Sequence, residues 1–151
     1  MMKKFIVMTL LCCLLMSSVI AFAAAENIII DGTTVTIPAE MGKICEKDDR
    51  TFVPVRFVME YLNCYVNYTD YQQSATITNP ETGISYFMMA NSNELFELST
   101  FSGRAIVMDT KVFINNDEAR MYVPVRFLAE AIGYKVDWDE ATQTVTLTSA
   151  Q

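Results

Sequence analysis

The feature that most constrains this chain is that it writes one long segment twice. FVPVRF begins at Phe52, and YVPVRF begins seventy residues later at Tyr122. Residues 52–78 lie over residues 122–148 without a gap. Ten of these 27 positions are identical: Val53, Pro54, Val55, Arg56, Phe57, Glu60, Val66, Gln73, Thr76 and Thr78 match their counterparts. Others swap like for like, as Tyr68 for Trp138 and Ile77 for Leu147. A duplication this long has two readings, a paired active site or one folding unit made of two similar halves.

Local patterns favour the second. Pro54 and Pro124 suit a first helical turn, where a missing N–H costs nothing. Val125, Leu128, Ala129 and Ile132 then recur at helical spacing, as do Val55, Val58, Met59 and Leu62. Asn63 and Gly133 are residue types that close a helix in the left-handed conformation. A helix of about nine residues is marginal alone, so packing must hold it. Phe127 and Ala131 point away from the main stripe, which leaves Arg126 with Glu130, and Arg56 with Glu60, as the only polar wedge. Such a helix reads as buried. Each Arg is expected to tie to the Glu four residues on, and Arg126→Ala is expected to destabilise the fold.

A hairpin follows each helix. In YKVDWD, Val136 and Trp138 alternate with Asp137 and Asp139, and TVTLT alternates likewise. The first copy repeats this with Val66, Tyr68, Ala75 and Ile77. NIIIDGTTVTIP reads as a hairpin turning at Asp31-Gly32. ISYFMMA and ELFELS read as strands, with AIVM and VFIN as weaker ones. The expected fold is α+β: antiparallel strands and hairpins packed around two short helices, built as a tandem pseudo-repeat in which 51–78 matches 121–148.

The first residues read differently. MMKK and the apolar run after it, ending in AFAAA, have the pattern of a secretory signal peptide over residues 1–25, cleaved near Ala23–Ala25. An uncleaved anchor is the alternative, and the Ala cluster favours the peptidase. Leu11 before Cys12 does not fit a lipoprotein signal. Residues 26–151 are expected to form a single domain. The expected location is therefore secreted or at the cell envelope, with no membrane attachment after cleavage.

Composition narrows the chemistry. Without Lys3 and Lys4, nine basic residues face 18 acidic ones. No basic patch remains, so nucleic acid is excluded as a partner. There is no histidine, which removes Ser–His and Cys–His nucleophiles and all imidazole metal ligation. Cys45 and Cys64 would permit one disulfide, but spacing alone does not place them in reach.

The doubled VPVRF-x-x-E pattern, each copy followed by a V-x-(W/Y) hairpin and a TVT-like strand, resembles the copper amine oxidase-like N-terminal domain, or stalk domain, of bacterial secreted proteins. The resemblance spans about residues 28–148. It departs at Asn63, where Gly is usual, and at Tyr68, where Trp is usual. It implies a small α+β accessory domain and export from a bacterium, not oxidase activity.

Oxidase chemistry needs three His and a Tyr that becomes a quinone; the lone Asn67-Tyr68 pair falls at an inward hairpin position instead. Asp137 and Asp139 flank an inward Trp and read as solvated rather than as a glycosidase pair. Residues 46–49 lack calcium-loop spacing. Met88, Met89 and Met108 read as fillers rather than thioether ligands. No catalytic residue, metal ligand or cofactor is expected. Pro54, Arg56, Phe57, Glu60, Pro124, Arg126, Phe127, Glu130 and Trp138 are assigned to the structural motif. The expected function is a non-catalytic envelope binding or structural module whose partner is a glycan, peptide or exported protein, with homodimerisation left open. The alternative is a carboxylate-dependent hydrolase or an enzyme-associated inhibitor.

Overall fold

The computed structural model describes residues 27–99 and 103–150. The expected leader lies outside them. The strands are β1 Asn27–Ile30, β2 Thr33–Val35, β3 Cys45–Lys47, β4 Arg50–Pro54, β5 Tyr65–Thr69, β6 Ser74–Thr78 and β7 Ser85–Met89. They continue with β8 Glu94–Leu98, β9 Gly103–Val107, β10 Phe113–Asn115, β11 Arg120–Pro124, β12 Tyr134–Asp139 and β13 Thr144–Ser149. Two helices, α1 Val55–Tyr61 and α2 Val125–Ala131, each follow a strand directly. This is α+β, as the sequence implied. Among the described residues no helix is long and apolar enough to cross a membrane.

Three sheets share one core. The central one runs β10-β11-β4-β3, and the others run β5-β6-β7-β8-β9 and β12-β13-β1-β2. In the centre β4 pairs antiparallel with β11, and Val53 faces Val123, with Phe52 opposite Pro124 and Tyr122 opposite Pro54. Each helix contacts both central strands as well as the hairpin that follows it. Val55, Val58 and Met59 of α1 and Val125, Leu128 and Ala129 of α2 are buried.

Three expectations change. Pro54 and Pro124 are not within the helix; each is the last residue of a strand and the N-cap, with ψ of 119° and 116°. Proline has no N–H for a ladder, so it fits at a strand's end, and its fixed φ near −64° already suits the turn that follows. The sheets are not wholly antiparallel. β1 pairs parallel with β13, from Asn27 opposite Thr144 to Ile30 opposite Leu147. Asp31 reinforces this join by accepting a 2.8 Å bond from the Ser149 N–H. Finally, the helices are buried on one side only, because Arg56, Glu60, Arg126 and Glu130 are exposed.

The turns explain several matched residues. Asn63 and Gly133 both have positive φ, 59° and 96°, and close their helices as expected. Gln73 and Gln143 also have positive φ, 48° and 51°, and each precedes the second strand of its hairpin. Before the central strands stand Asp49 at 57° and Ala119 at 51°. Ala pays a steric penalty there that Gly escapes.

A phenol supports the central sheet. Tyr122 is fully buried and stacks on Phe113 with ring centroids 5.3 Å apart. Its hydroxyl donates to Glu118 Oε2 and accepts from the Lys43 N–H at 3.1 Å. Burial, and then the bond to Glu118, push its pKa up to about 12. Gly42 is required beside it, since a Cβ there would stand 2.8 Å from the Tyr122 hydroxyl. Cys45 and Cys64 are free thiols, one half-buried in β3 and one buried after α1.

Ala119→Gly is expected to raise stability by about 0.5–1 kcal/mol, read from the urea midpoint with an unchanged slope. The fold is also expected to weaken in alkali. A raised tyrosine pKa means stability that is present below pH about 10, the unfolded value, and is lost as pH rises toward about 12. Tyr68, Tyr86 and Tyr134 are shifted in the same direction. Tyr122→Phe should therefore reduce, without abolishing, the loss seen in urea melts taken between pH 9 and 12.

Candidate functional site

Two clefts flank the central strands. The larger, of about 430 Å³, lies where the N-terminal end of α2 meets β12 and the start of β4. Its floor is buried and apolar: Pro124, Val125 and Val145. Phe127, Val136 and Trp138, all half-buried, form its walls. The rim is charged, with Arg126, Arg50, Asp49, Asp109 and Asp137 exposed and Glu46 partly so. An apolar base with a few polar groups at the edge is the usual form of a ligand site.

The rim charges are not equally free. Arg50 donates from Nε and Nη2 to Asp109 Oδ2, at 3.0 and 2.5 Å, and from Nη1 to the Asp49 carbonyl at 2.8 Å. These bonds hold the Asp109 carboxyl below its ordinary pKa. Asp137 pairs with Lys135 at 2.8 Å. Asp139 accepts from the Ala141 and Thr142 N–H groups and so caps the hairpin turn. Burial, with the Asp49 charge second, raises the pKa of Glu46.

Arg126 is different. Among the described residues the ion pairs are Arg50–Asp109, Arg104–Glu97 and Lys135–Asp137. The expected Arg56–Glu60 and Arg126–Glu130 pairs are not formed. Their helices turn that side to solvent, where holding two long side chains together gains almost nothing. Both motif arginines are left at the edges of clefts, with the charge of Arg126 felt by Asp109.

The smaller cleft, of about 140 Å³, is lined by Pro54, Val55, Arg56, Val66, Tyr68 and Ala75, with Ala119, Arg120 and Met121. In the sequence overlay the first six correspond to Pro124, Val125, Arg126, Val136, Trp138 and Val145, and the last three to Asp49, Arg50 and Thr51. All of those line the larger cleft. Each cleft thus takes a helix and hairpin from one copy and a strand start from the other. Arg120 donates to the Glu40 carbonyl.

Among the described residues no group of three or more Cys, Asp or Glu side chains is placed to hold a metal ion. Met88 and Met108 are core residues, and Met89 is exposed.

The copper amine oxidase N-terminal domain matches residues 26–147. The chain belongs to the copper amine oxidase N-terminal domain family. This family's domain is the non-catalytic N-terminal part of amine oxidases. No curated protein and no solved structure matches the chain.

Pro124, Phe127, Arg126 and Trp138 of the expected motif gather in the larger cleft of this copper amine oxidase N-terminal domain, and Pro54 and Arg56 in the smaller. Phe57, Glu60 and Glu130 line neither. No sequence pattern marks Arg50 and Asp109, which are 59 residues apart and follow no periodicity. Asp109→Asn is expected to cost under about 1 kcal/mol at neutral pH, because the pair is exposed. A depressed carboxyl pKa gives stability that is fully present above its unfolded value, near pH 4, and is lost as pH falls through the folded one. The difference between variant and wild type should therefore fade as pH drops below about 4, in urea melts at pH 7 and pH 2.

Proposed function

We propose that this chain is a non-catalytic, exported binding module of the bacterial cell envelope, and that the larger cleft receives its ligand. We further propose that the fold is a tandem pseudo-repeat, turned about an approximate two-fold axis through the Val53–Val123 pair. Several features support the repeat. The central strands, the helices and the second hairpin strands begin at matched residues (Arg50 with Arg120, Val55 with Val125, Ser74 with Thr144), left-handed residues recur at the same offset, and an antiparallel pair in which equivalent residues face each other has such an axis. The signal-like leader and the family's bacterial, secreted associations support export.

The observation that carries the binding reading is Arg126. It is exposed, free of an ion pair, and stands over an apolar floor beside Trp138. A guanidinium kept at a cleft edge without a protein partner offers donors to a ligand. Loss of an exposed side chain of this kind changes stability by within about 0.5 kcal/mol. Arg126→Ala is therefore expected to leave the urea midpoint at the wild-type value while abolishing retention on isolated cell envelopes in a sedimentation assay. A lowered midpoint with retention intact would return Arg126 to a structural role.

Hydrolysis is the second reading, and Glu46 is its support: a carboxyl with a raised pKa beside Asp49 in a cleft resembles a general acid. Against it, Asp109 and Asp137 are committed to ion pairs, so of the cleft's carboxylates Asp49 alone is left to act as the base. Release of reducing ends from an envelope glycan, lost in Glu46→Gln, would establish hydrolysis; none is expected.

A further inference from the structure

We infer that the two clefts are a matched pair of subsites for one repeating anionic saccharide chain, an inference that rests on reading the larger cleft as a ligand site. Every residue of the smaller cleft corresponds to a residue of the larger, so the groups the two have in common define what both could recognise. Besides Arg50 and Arg120, which are engaged by Asp109 and by the Glu40 carbonyl, those groups are an apolar Pro–Val floor, one aromatic ring and one exposed arginine without an ion pair: Tyr68 with Arg56, and Trp138 with Arg126.

The aromatic ring suits the C–H face of a sugar. The guanidinium has five donors and no acceptor, so it selects an anionic or strongly accepting group. Two like sites also call for two like units, and a repeating polymer supplies them. Pro54 lines one cleft and Pro124 the other, and Pro124 lies opposite Phe52, which shares a face with Pro54 roughly 7 Å along the strand. One chain that fills both sites gains the second contact as an intramolecular event.

The clefts differ in their rims. Four carboxylates line the larger, although Asp109 and Asp137 are neutralised by Arg50 and Lys135. None lines the smaller. An anion is therefore held more firmly at Arg56 than at Arg126.

The test is calorimetric titration of the purified chain with galacturonic acid and its oligomers of up to six units. Neutral maltohexaose and a glutamate hexapeptide serve as controls. The hexamer of galacturonic acid is expected to bind at least about tenfold more tightly than the monomer, as a two-site ligand does, and to weaken as salt is added. Arg56→Gln and Arg126→Gln replace exposed groups and should fold normally. Each should lower hexamer affinity toward that of the monomer, Arg56→Gln by more. A hexamer no tighter than its monomer overturns the pairing. Equal binding of maltohexaose overturns the anionic recognition, and binding of the glutamate peptide in place of the saccharide makes the ligand an acidic peptide. If any of these occurs while envelope retention still depends on Arg126, the binding module stands and the paired saccharide sites fall.

Discussion

The contact between Val53 and Val123 organises this molecule. Both side chains are fully buried, and they face each other where β4 and β11 pair. Burying a valine contributes about 1.5–3 kcal/mol, but the register matters more than the energy. A slip of one residue would turn every side chain of a strand to the opposite face. Phe52 and Tyr122 would leave the stack they share with Phe113. The helices that start immediately after Pro54 and Pro124 would move with their strands. Because each cleft combines a helix from one copy with a strand start from the other, neither would survive the slip.

Much of the fold was legible in the sequence because its signals are local. Alternation marked the hairpins, Asp31-Gly32 marked a turn that the structure forms with positive φ at both residues, and Asn63 and Gly133 marked helix ends. What was not legible depends on residues far apart. No pattern in NIII announces that it pairs parallel with a strand more than a hundred positions away. Pro54 and Pro124 stand one step before the helices that the pattern implies for them, because the same fixed φ serves a strand's last residue and a helix's first.

The clefts were legible in part. Alternation along YKVDWD puts the ring of Trp138 on an inward hairpin face, and the structure makes that ring a cleft wall. The i,i+4 Glu beside Arg126 implies a structural tie in the sequence. Spacing alone does not reveal whether a helix presents that pair to solvent, and the surrounding sheets decide it. The Arg50–Asp109 pair, which shapes the rim, joins a strand start to a loop held in place by the buried Met108 and Val112. Such a join exists only once the chain has folded.

The parallel pairing of β1 with β13 has a mechanical consequence. The two strands run side by side in one direction, so chain arriving at Asn27 and chain leaving at Ser149 exit from opposite ends of the same sheet. Tension applied through those flanks slides one strand along the other and loads their hydrogen bonds together. An antiparallel terminal pair would instead be peeled open one bond at a time. Loaded in that direction, the join resists as a shear clamp, not as a zipper.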